Sequence, residues 1–569
     1  MSILRANPSL RDTRGYLADF GVRSLKPKKV SPPQDMVKDV QESIQPSTET
    51  RPPDIALEAQ KQTQIRSPVV ASILNPIIRR TALVKIQGPF TERQLESVAR
   101  GMVYLEKLGL VSVIVVEKDD LAKGESRERA IIMEETMRVV TALEKYGAKA
   151  RPVLGAVVRL GPKPGEEEAS ATTTEYTPEA HTLPSDLDPI RSALKAGEIP
   201  VLPPMALDSF YRSVRVDAND VIAALARGMG EAAAEAKYEV PDDNDVDLTP
   251  MRLMIINKEG GVPSYARDGM PHLLVNLASE YSYIRNTFDP RWKSTHPSAL
   301  SNLALARTCL SYMPSSSSAV MVSHRSPSSL IANLITNKPA VSSSLPHALL
   351  QGNRKLESHT PTILRRGLDV RVIRSAADID RTKLKALLEQ SFKRDLDEDA
   401  FWKRLDNDLD FVIVAGDYAG AAIVTTEQCP AGTSEAFAPI TYLDKFAVLP
   451  SHQGDGTVDF LWVALHDESY GLGLPFSANP NGGKEGVGEG RDLVWRSRAN
   501  NPVNKWYFER STGHIRMGDW VLFWCDAEMR LKEESGRRGS AGLSYLENWE
   551  RGRLGVWSDV VFKIPSSWR

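Results

Sequence analysis

Cysteine is scarce in this chain. Its three cysteines, Cys309, Cys429 and Cys525, are widely separated among 569 residues. This spacing argues against a disulfide framework and against a clustered zinc site, so we expect no metal. Such cysteine usage is typical of a protein from a reducing compartment.

Long apolar runs are also missing. Strongly apolar stretches such as VSVIVV at 111–116 are far shorter than the ~20 residues of a membrane-spanning helix. Neither sign of charge is in excess, because the formal net charge is −2, and no global field would steer the chain to nucleic acid or anionic lipid. We therefore expect a globular protein with no membrane span and no nucleic-acid partner, in roughly two to four domains.

The N-terminal segment has no apolar signal-peptide core, which argues against secretion. It contains several arginines, but Asp12 comes early, so composition permits mitochondrial import without indicating it; a leader is not evident. Residues 24–68 are rich in Pro, Ser, Gln and charge, which predicts a solvated linker with a short helix around 54–66. We assign 1–70 to this N-terminal segment and linker.

Strand and helix patterns alternate from residue 81 onwards. TALVKI, SVIVV, RPVLGAVVRL, IPVLPP and RLMIIN are predicted as strands. Thr91 and Gln94 have capping-box spacing and start a helix with Leu95, Val98, Met102 and Leu105 on one face. Further helices are predicted at 127–146, 219–229 and 328–337, and a surface insertion at 161–188. The alternation predicts an α/β domain with parallel strands over 71–340.

A joint is predicted at 341–368, and a second α/β unit over 369–569. Within it, SHQGDG (451–456) lies between the strand-like TYLDKFAVL and the helical TVDFLWVALHDE. The loop lacks the Lys-Ser/Thr of a P-loop and the third glycine of a Rossmann turn. What remains is Gln453-x-x-Gly456 at a helix N-terminus, which suits an anion, although a plain glycine turn is an open alternative.

Cationic residues flank this loop in the sequence. Lys445 lies in the preceding strand, and Arg496 and Arg498 point to one face if DLVWRSR is extended. Asn501-Pro502 is a helix-start signal, which places Tyr507 in the first turns of a short helix. Together they indicate a site for a small carboxylate-bearing substrate, although each residue alone also has a structural explanation.

The ordered segments YLDKFAV, SHQGDG, DLVWRSR and NPVNKWYF resemble the acetyltransferase domain of the fungal and animal N-acetylglutamate synthases. RDTRGYLADF (11–20) also resembles fungal members. The resemblance implies a C-terminal GNAT acetyltransferase fold and transfer of acetyl from acetyl-CoA to the α-amine of L-glutamate, the first step of arginine biosynthesis. It also implies a mitochondrial matrix location.

The resemblance also implies roles for individual residues. Lys445 and Arg496 would hold glutamate carboxylates, with Arg498 a weaker candidate. Asn501 would position the reacting groups, and Tyr507 would assist the departing thiolate. Backbone N–H groups around Phe446 and Val448 would stabilise the oxyanion, as GNAT strands do. The CoA pyrophosphate would bind the loop residues, which are Gln453, Gly454, Asp455, Gly456 and Thr457.

Residues 71–340 resemble a diverged amino-acid-kinase domain of three-layer α/β type. Its first strand reads LVKIQGPF where the kinases have a Lys-Gly-Gly turn, so kinase activity is not expected. The resemblance implies inhibition by L-arginine, association with acetylglutamate kinase and a homo-oligomer. Two alternatives stay open: a catalytically weak regulatory partner of that kinase, and a GNAT enzyme acting on another amine.

Overall fold

The computed structural model describes residues 79–122, 124, 127–155, 157–164, 180–236, 246–265, 269–339, 342, 344, 356–429, 439–466, 472, 492–511, 513–525 and 544–569. The predicted N-terminal linker with its helix at 54–66, much of the insertion at 161–188 and the glycine-rich segment 477–490 lie outside these residues. Among the described residues, no helix is both long enough and apolar enough to cross a bilayer.

The described strands and helices alternate along most of the chain. The strands are β1 Arg80–Gly88, β2 Leu110–Lys118, β3 Ala150–Pro152, β4 Arg159–Leu160, β5 Ala180–His181, β6 Ile199–Leu202, β7 Met205–Leu207, β8 Ser213–Arg215, β9 Pro250–Asn257, β10 Leu274–Asn276, β11 Ser318–Ser323, β12 Thr362–Arg365, β13 Val370–Ile373, β14 Leu409–Ala415, β15 Gly420–Glu427, β16 Ile440–Val448, β17 Leu493–Arg498, β18 Gly513–Met517 and β19 Trp520–Cys525. The α-helices are α1 Glu92–Lys107, α2 Glu128–Lys145, α3 Asp188–Lys195, α4 Ala218–Ala236, α5 Leu277–Thr287, α6 Trp292–Thr295, α7 Ala299–Tyr312, α8 Pro327–Thr336, α9 Arg381–Phe392, α10 Glu398–Asp408, α11 Thr457–His466, α12 Asn504–Phe508 and α13 Ser544–Val561.

The first domain is built on a largely parallel sheet in the order β10-β12-β11-β9-β1-β2-β6-β3. Its central strands are buried along their length because helices cover both faces. Leu83 packs with the cluster that includes α4 and α7, and the next residue, Val84, packs with α1, α2 and α8. A small sheet, β5-β4-β7-β8, lies beside it. The predicted three-layer α/β class is confirmed.

The capping box predicted at Thr91 is present. The backbone N–H of Thr91 donates to Oε1 of Gln94 at 2.9 Å, and α1 starts at the next residue, Glu92. The predicted apolar face of α1 is buried. The local pattern was sufficient to predict the start and the buried face of α1, because capping and helical periodicity involve residues three or four positions apart.

Two segments differ from the sequence predictions. RPVLGAVVRL (151–160) is not one strand: it contributes β3 to the large sheet and β4 to the small one. Pro152 and Gly155 lie where the run is interrupted, and both residues disfavour a continuous strand. The predicted joint 341–368 contains β12, which pairs with β10 and β11 of the first sheet. Four consecutive buried residues, TILR, explain why this segment joins a sheet.

Lys85 on β1 ties two helices to the centre of the first domain. Its ammonium donates to Oδ1 of Asn219 at 2.8 Å and to Oδ1 of Asn302 at 3.0 Å. Burial lowers the pKa of Lys85, and the nearby Glu117 carboxylate opposes that shift. The lysine is thus held by amide oxygens of α4 and α7 within the protein.

The second domain is built on a sheet in the order β13-β14-β15-β16-β17-β19-β18. Its strand pairs are antiparallel except for β16 and β17, which are parallel. Helices α9 and α10 cover one face, and α11 and α12 pack on the other. Helix α13 packs through Trp557 and Val561 against the cluster containing Tyr442 and Val494.

Helix α11 connects the two domains. Phe460 on α11 is 6% exposed and belongs to the hydrophobic cluster of the first domain rather than to that of its own sheet. Asp459 accepts hydrogen bonds from the hydroxyls of Ser342, at 3.3 Å, and Ser344, at 2.5 Å. Arg365 at the end of β12 packs near Gly456, the residue that precedes α11. The domains therefore share this helix.

Candidate functional site

Strands β16 and β17 diverge soon after they start. Only Thr441 and Tyr442 of β16 pair with β17, opposite Leu493 and Val494. Residues 443–448 continue as a strand along β15, but no strand among the described residues pairs with them on the β17 side. Unpaired peptide groups of a strand can bind a ligand that enters between two strands. The predicted donors Phe446 and Val448 lie on this open part of β16.

Strand β16 contains a bulge at Asp444, next to Lys445. Ile423 of β15 pairs with Lys445 and Val424 pairs with Leu443, so Asp444 is the extra residue. Successive strand residues normally point to opposite faces, and a bulge changes that direction. The bulge leaves Lys445 within hydrogen-bond distance of Asp444, at 2.7 Å, and both residues line a cavity of about 590 Å³ between the diverging strands.

The glycine loop precedes α11 at the far end of β16. Gly454 and Gly456 have φ values of 116° and 99°, which favour glycine. Among the described residues, the backbone N–H groups of Gly454, Asp455 and Gly456 have no hydrogen-bond partner. They lie at the positive end of the α11 dipole, so the loop can bind an anion.

Asp455 has a structural role inside that loop. Its carboxylate accepts from the backbone N–H of Thr457 at 3.0 Å and from the Thr457 hydroxyl at 2.7 Å. Its other oxygen lies 2.9 Å from Nδ1 of His452. Gln453 donates through Nε2 to the Val448 carbonyl at 3.3 Å, which joins the loop to β16. The side chains of Gln453, Asp455 and Thr457 thus shape the loop, and the backbone offers the donors.

The cavity between β16 and β17 is strongly cationic. Four cationic side chains and one carboxylate line it, and they are Arg394, Lys445, Arg496, Arg498 and Asp444. Its remaining wall combines aromatic residues, among them Tyr442, Phe446, Trp495 and Trp520, with polar and aliphatic ones. A small ligand with more than one carboxylate has the complementary charge.

Lys445 is held at the base of this cavity. Its ammonium donates to Oδ2 of Asp444 at 2.7 Å and to Oγ of Ser567 at 3.2 Å. The ring of Trp568 lies 5.9 Å away. Within the described part of the chain, its third N–H has no hydrogen-bond partner, so a ligand carboxylate can accept it.

Arg496 and Arg498 share one face of β17, as predicted, and both lie over the Trp520 ring at 4.9 and 5.5 Å. Their partners differ. Arg496 donates to the carbonyls of Val561 and Ile564, each at 2.7 Å. Arg498 is exposed and forms no ion pair with any described residue. In this arrangement Arg498 is more available than Arg496 to a ligand carboxylate, and Arg496 anchors the end of α13 and the residues that follow it.

Asn501 and Tyr507 both line the cavity. The helix that contains Tyr507 starts later than the sequence indicates. Helix α12 begins at Asn504, and Asn501 caps the preceding turn through a 3.1 Å bond from the Val503 backbone N–H. The Asn-Pro pair forms this turn instead of the first helical turn. Nδ2 of Asn501 donates to Ser497 at 2.9 Å. Burial raises the pKa of Tyr507, so its phenol stays protonated.

Two groups of cavity residues were missed in the sequence. Arg394 follows α9 and is exposed, with no ion pair among the described residues. Ser567 and Trp568 come from the end of the described chain. Neither FKRD nor IPSSW carries a pattern that marks a site, and the meeting of Ser567 with Lys445 spans 122 positions. Among the described residues, no cluster of three or more His, Cys, Asp or Glu side chains could hold a metal ion.

Comparisons with known proteins show which proteins the chain is similar to. The family model for the N-acetyltransferase (NAT) of N-acetylglutamate synthase matches residues 370–472 and 489–534. The mitochondrial amino-acid acetyltransferase of Coprinopsis cinerea is 68% identical over 581 residues, which cover 100% of this chain and 91% of that protein. The one from Laccaria bicolor is 65% identical over 570 residues, covering 100% of this chain and 98% of that protein. A solved structure, N-acetylglutamate synthase from Neisseria gonorrhoeae complexed with coenzyme A and N-acetyl-glutamate, has a TM-score of 0.41 at 14% identity, covering 79% of this chain and 96% of that chain.

Proposed function

This chain belongs to the mitochondrial amino-acid acetyltransferase family, and on that premise we propose that it acetylates L-glutamate in the cavity between β16 and β17. It is an amino-acid N-acetyltransferase that uses acetyl-CoA as co-substrate. The observation that carries the proposed site is the divergence of β16 from β17, with the glycine loop at one end and the cationic cavity beside it.

Acetyl-CoA binds along the open edge of β16 in this proposal. The pyrophosphate accepts hydrogen bonds from the backbone N–H groups of Gly454, Asp455 and Gly456, aided by the α11 dipole. The thioester then lies between the diverging strands, where backbone N–H groups near Phe446 and Val448 face the carbonyl oxygen. These donors stabilise the negative charge that develops on that oxygen.

Glutamate binds in the cationic cavity through its two carboxylates. Lys445 supplies its third N–H, and Arg498 and Arg394 supply guanidinium groups that no described residue pairs. Arg496 adds positive charge while it holds the residues after α13. A neutral amino acid would leave part of this charge uncompensated, which disfavours it.

The reaction needs no covalent enzyme intermediate. The amine lone pair attacks the thioester carbon, the C=O electrons move to oxygen, and collapse of the tetrahedral species breaks the C–S bond. Water accepts the proton that the amine loses. Tyr507 faces the cavity and donates its phenolic proton to the departing sulfur, while Asn501 orients the reacting groups.

The decisive experiment measures CoA thiol release by the purified chain with acetyl-CoA and glutamate, with N-acetylglutamate identified by mass spectrometry. We expect turnover with glutamate and much less with glutamine, which has the same shape but one carboxylate fewer. Faster acetylation of peptide N-termini or lysines would overturn the assignment. Absent turnover in a protein that co-purifies with acetylglutamate kinase would favour a regulatory partner instead.

Regulation and assembly extend this proposal. We infer inhibition by L-arginine through the first domain, association with acetylglutamate kinase, a homo-oligomer and a location in the mitochondrial matrix. The relatives from Coprinopsis cinerea and Laccaria bicolor are both named as mitochondrial enzymes, which supports a mitochondrial location. Adding arginine to the thiol assay tests the first point, sedimentation with and without the kinase tests the assembly, and protease protection in isolated mitochondria tests the compartment.

A further inference from the structure

The residues after α13 form one wall of the cationic cavity. We call Ile564–Arg569 the closing segment; all but the last of its residues line the cavity. It is docked on the loop between α9 and α10. The Asp397 backbone N–H donates to the Ser567 carbonyl at 3.0 Å, and the Arg569 backbone N–H donates to the Asp395 carbonyl at 3.1 Å. The Trp568 and Phe392 rings lie 4.9 Å apart.

The closing segment bonds to two of the cavity cations. The Ser567 hydroxyl accepts from the Lys445 ammonium at 3.2 Å, and the Ile564 carbonyl accepts from Arg496 at 2.7 Å. Ser567 and Lys445 are 5% and 9% exposed, so this contact is shielded from water. The loop on which the segment docks also carries Arg394, so the segment links three of the four cationic positions.

Because Asp444 also attracts the Lys445 ammonium, the Ser567 contact affects where that ammonium points. Asp444 is the bulge residue beside Lys445, and its carboxylate accepts from the ammonium at 2.7 Å. Without a second acceptor, rotation about the lysine side chain would let the ammonium turn wholly towards Asp444. The Ser567 hydroxyl fixes a second N–H, and this direction leaves the third one for the ligand.

We propose that the closing segment is part of the amino-acid site and that Ser567 is a positioning residue, which orients Lys445 towards a substrate carboxylate. The inference rests on the proposed function, because it assumes that this cavity binds glutamate. It assigns a substrate-dependent role to a segment that contributes nothing to the glycine loop. Its effect is therefore confined to the amino acid and does not extend to acetyl-CoA.

The test is a double-mutant cycle with Ser567→Ala and Lys445→Ala, assayed by CoA thiol release at varied glutamate and acetyl-CoA. Loss of one hydrogen bond to a charged group predicts a rise of about tenfold in the glutamate KM for Ser567→Ala. The acetyl-CoA KM and kcat should stay within about twofold of wild type. In the Lys445→Ala background, Ser567→Ala should have no further effect, because the group that it positions is gone.

Ser558→Ala is the matched control. It removes a hydroxyl from α13 that donates to the Leu554 carbonyl at 2.5 Å and does not line the cavity. An unchanged glutamate KM in Ser567→Ala, or an equal rise in both backgrounds, would overturn the positioning role. So would loss of acetyl-CoA binding by Ser567→Ala in calorimetry without glutamate, since that would show general damage. Absent turnover in the wild-type chain would instead refute the proposed function.

Discussion

Tyr507→Phe should slow turnover with little effect on binding or folding. The Tyr507 ring lies 5.4 Å from the Trp495 ring and 5.5 Å from the Phe523 ring, and these contacts hold a phenylalanine equally well. The substitution therefore removes only the hydroxyl. A positioned proton donor contributes about 10²- to 10⁴-fold to a rate.

We expect the lower end of that range. A thiolate is a stable leaving group, and burial raises the pKa of Tyr507 and makes its phenol a weak acid. A loss of about 10²-fold in kcat corresponds to about 2.7 kcal/mol of transition-state stabilisation. Because the folded pKa is raised, the phenol stays protonated as pH rises through its ordinary range, so Tyr507 should add no fall in kcat between about pH 7 and pH 10.

The assay is CoA thiol release at saturating substrates, with the glutamate KM and the melting temperature measured on the same sample. Tyr418→Phe is the control: this buried tyrosine accepts from the Asp380 backbone N–H at 2.8 Å and does not line the cavity. It should lose about 1 kcal/mol of stability and keep its kcat. A kcat within threefold of wild type for Tyr507→Phe, or a glutamate KM raised by the same factor as kcat falls, would refute the role of Tyr507.

Four further substitutions test the separate parts of the site and the contact between the domains. Arg498→Ala should raise the glutamate KM about tenfold and leave the melting temperature unchanged. Arg496→Ala should in addition lower the melting temperature, because two buried carbonyls lose their donor. Equal melting temperatures of the two variants would contradict the anchoring role of Arg496. Gly456→Ala should weaken acetyl-CoA binding in calorimetry, since φ is 99° and a methyl would meet the Phe460 ring at 3.2 Å; unchanged affinity would argue against the loop as the pyrophosphate site. Phe460→Ala should cost about 3–5 kcal/mol in denaturant unfolding, and a cost below 1 kcal/mol would contradict its burial in the first domain.

Local patterns predicted the parts of this molecule that depend on near neighbours. The capping box at Thr91 and the turn at Gly454–Gly456 each involve a few consecutive residues, so residue type and spacing were enough. The order of Lys445, the loop and NPVNKWY along the chain also indicated one site. The positions of Arg496 and Arg498 on one face followed from the two-residue period of a strand.

Contacts between distant segments were not predictable in this way. The Asp444 bulge has no sequence signal, yet it places the Asp444 carboxylate beside the Lys445 ammonium. Nothing in VWRSR indicated that Arg496 would donate to the carbonyls of Val561, at the end of α13, and Ile564 rather than stay available for a ligand. The joint expected at 341–368 contains β12, a strand of the first sheet. This strand was not predicted because its pairing partners, β10 and β11, lie tens of residues away in the sequence.

Helix α11 makes each domain depend on the other for its packing. The loop before it is the proposed pyrophosphate site, whereas Phe460 belongs to the core of the other domain. Burial lowers the pKa of Arg365, which packs beside Gly456, to about 10. A boundary drawn by sequence family, at residue 370, thus cuts through a packed core. A fragment that begins there would expose the Phe460 side chain next to the proposed pyrophosphate loop. A chimaera in which either domain is exchanged for a relative's would have to preserve the fit around Phe460.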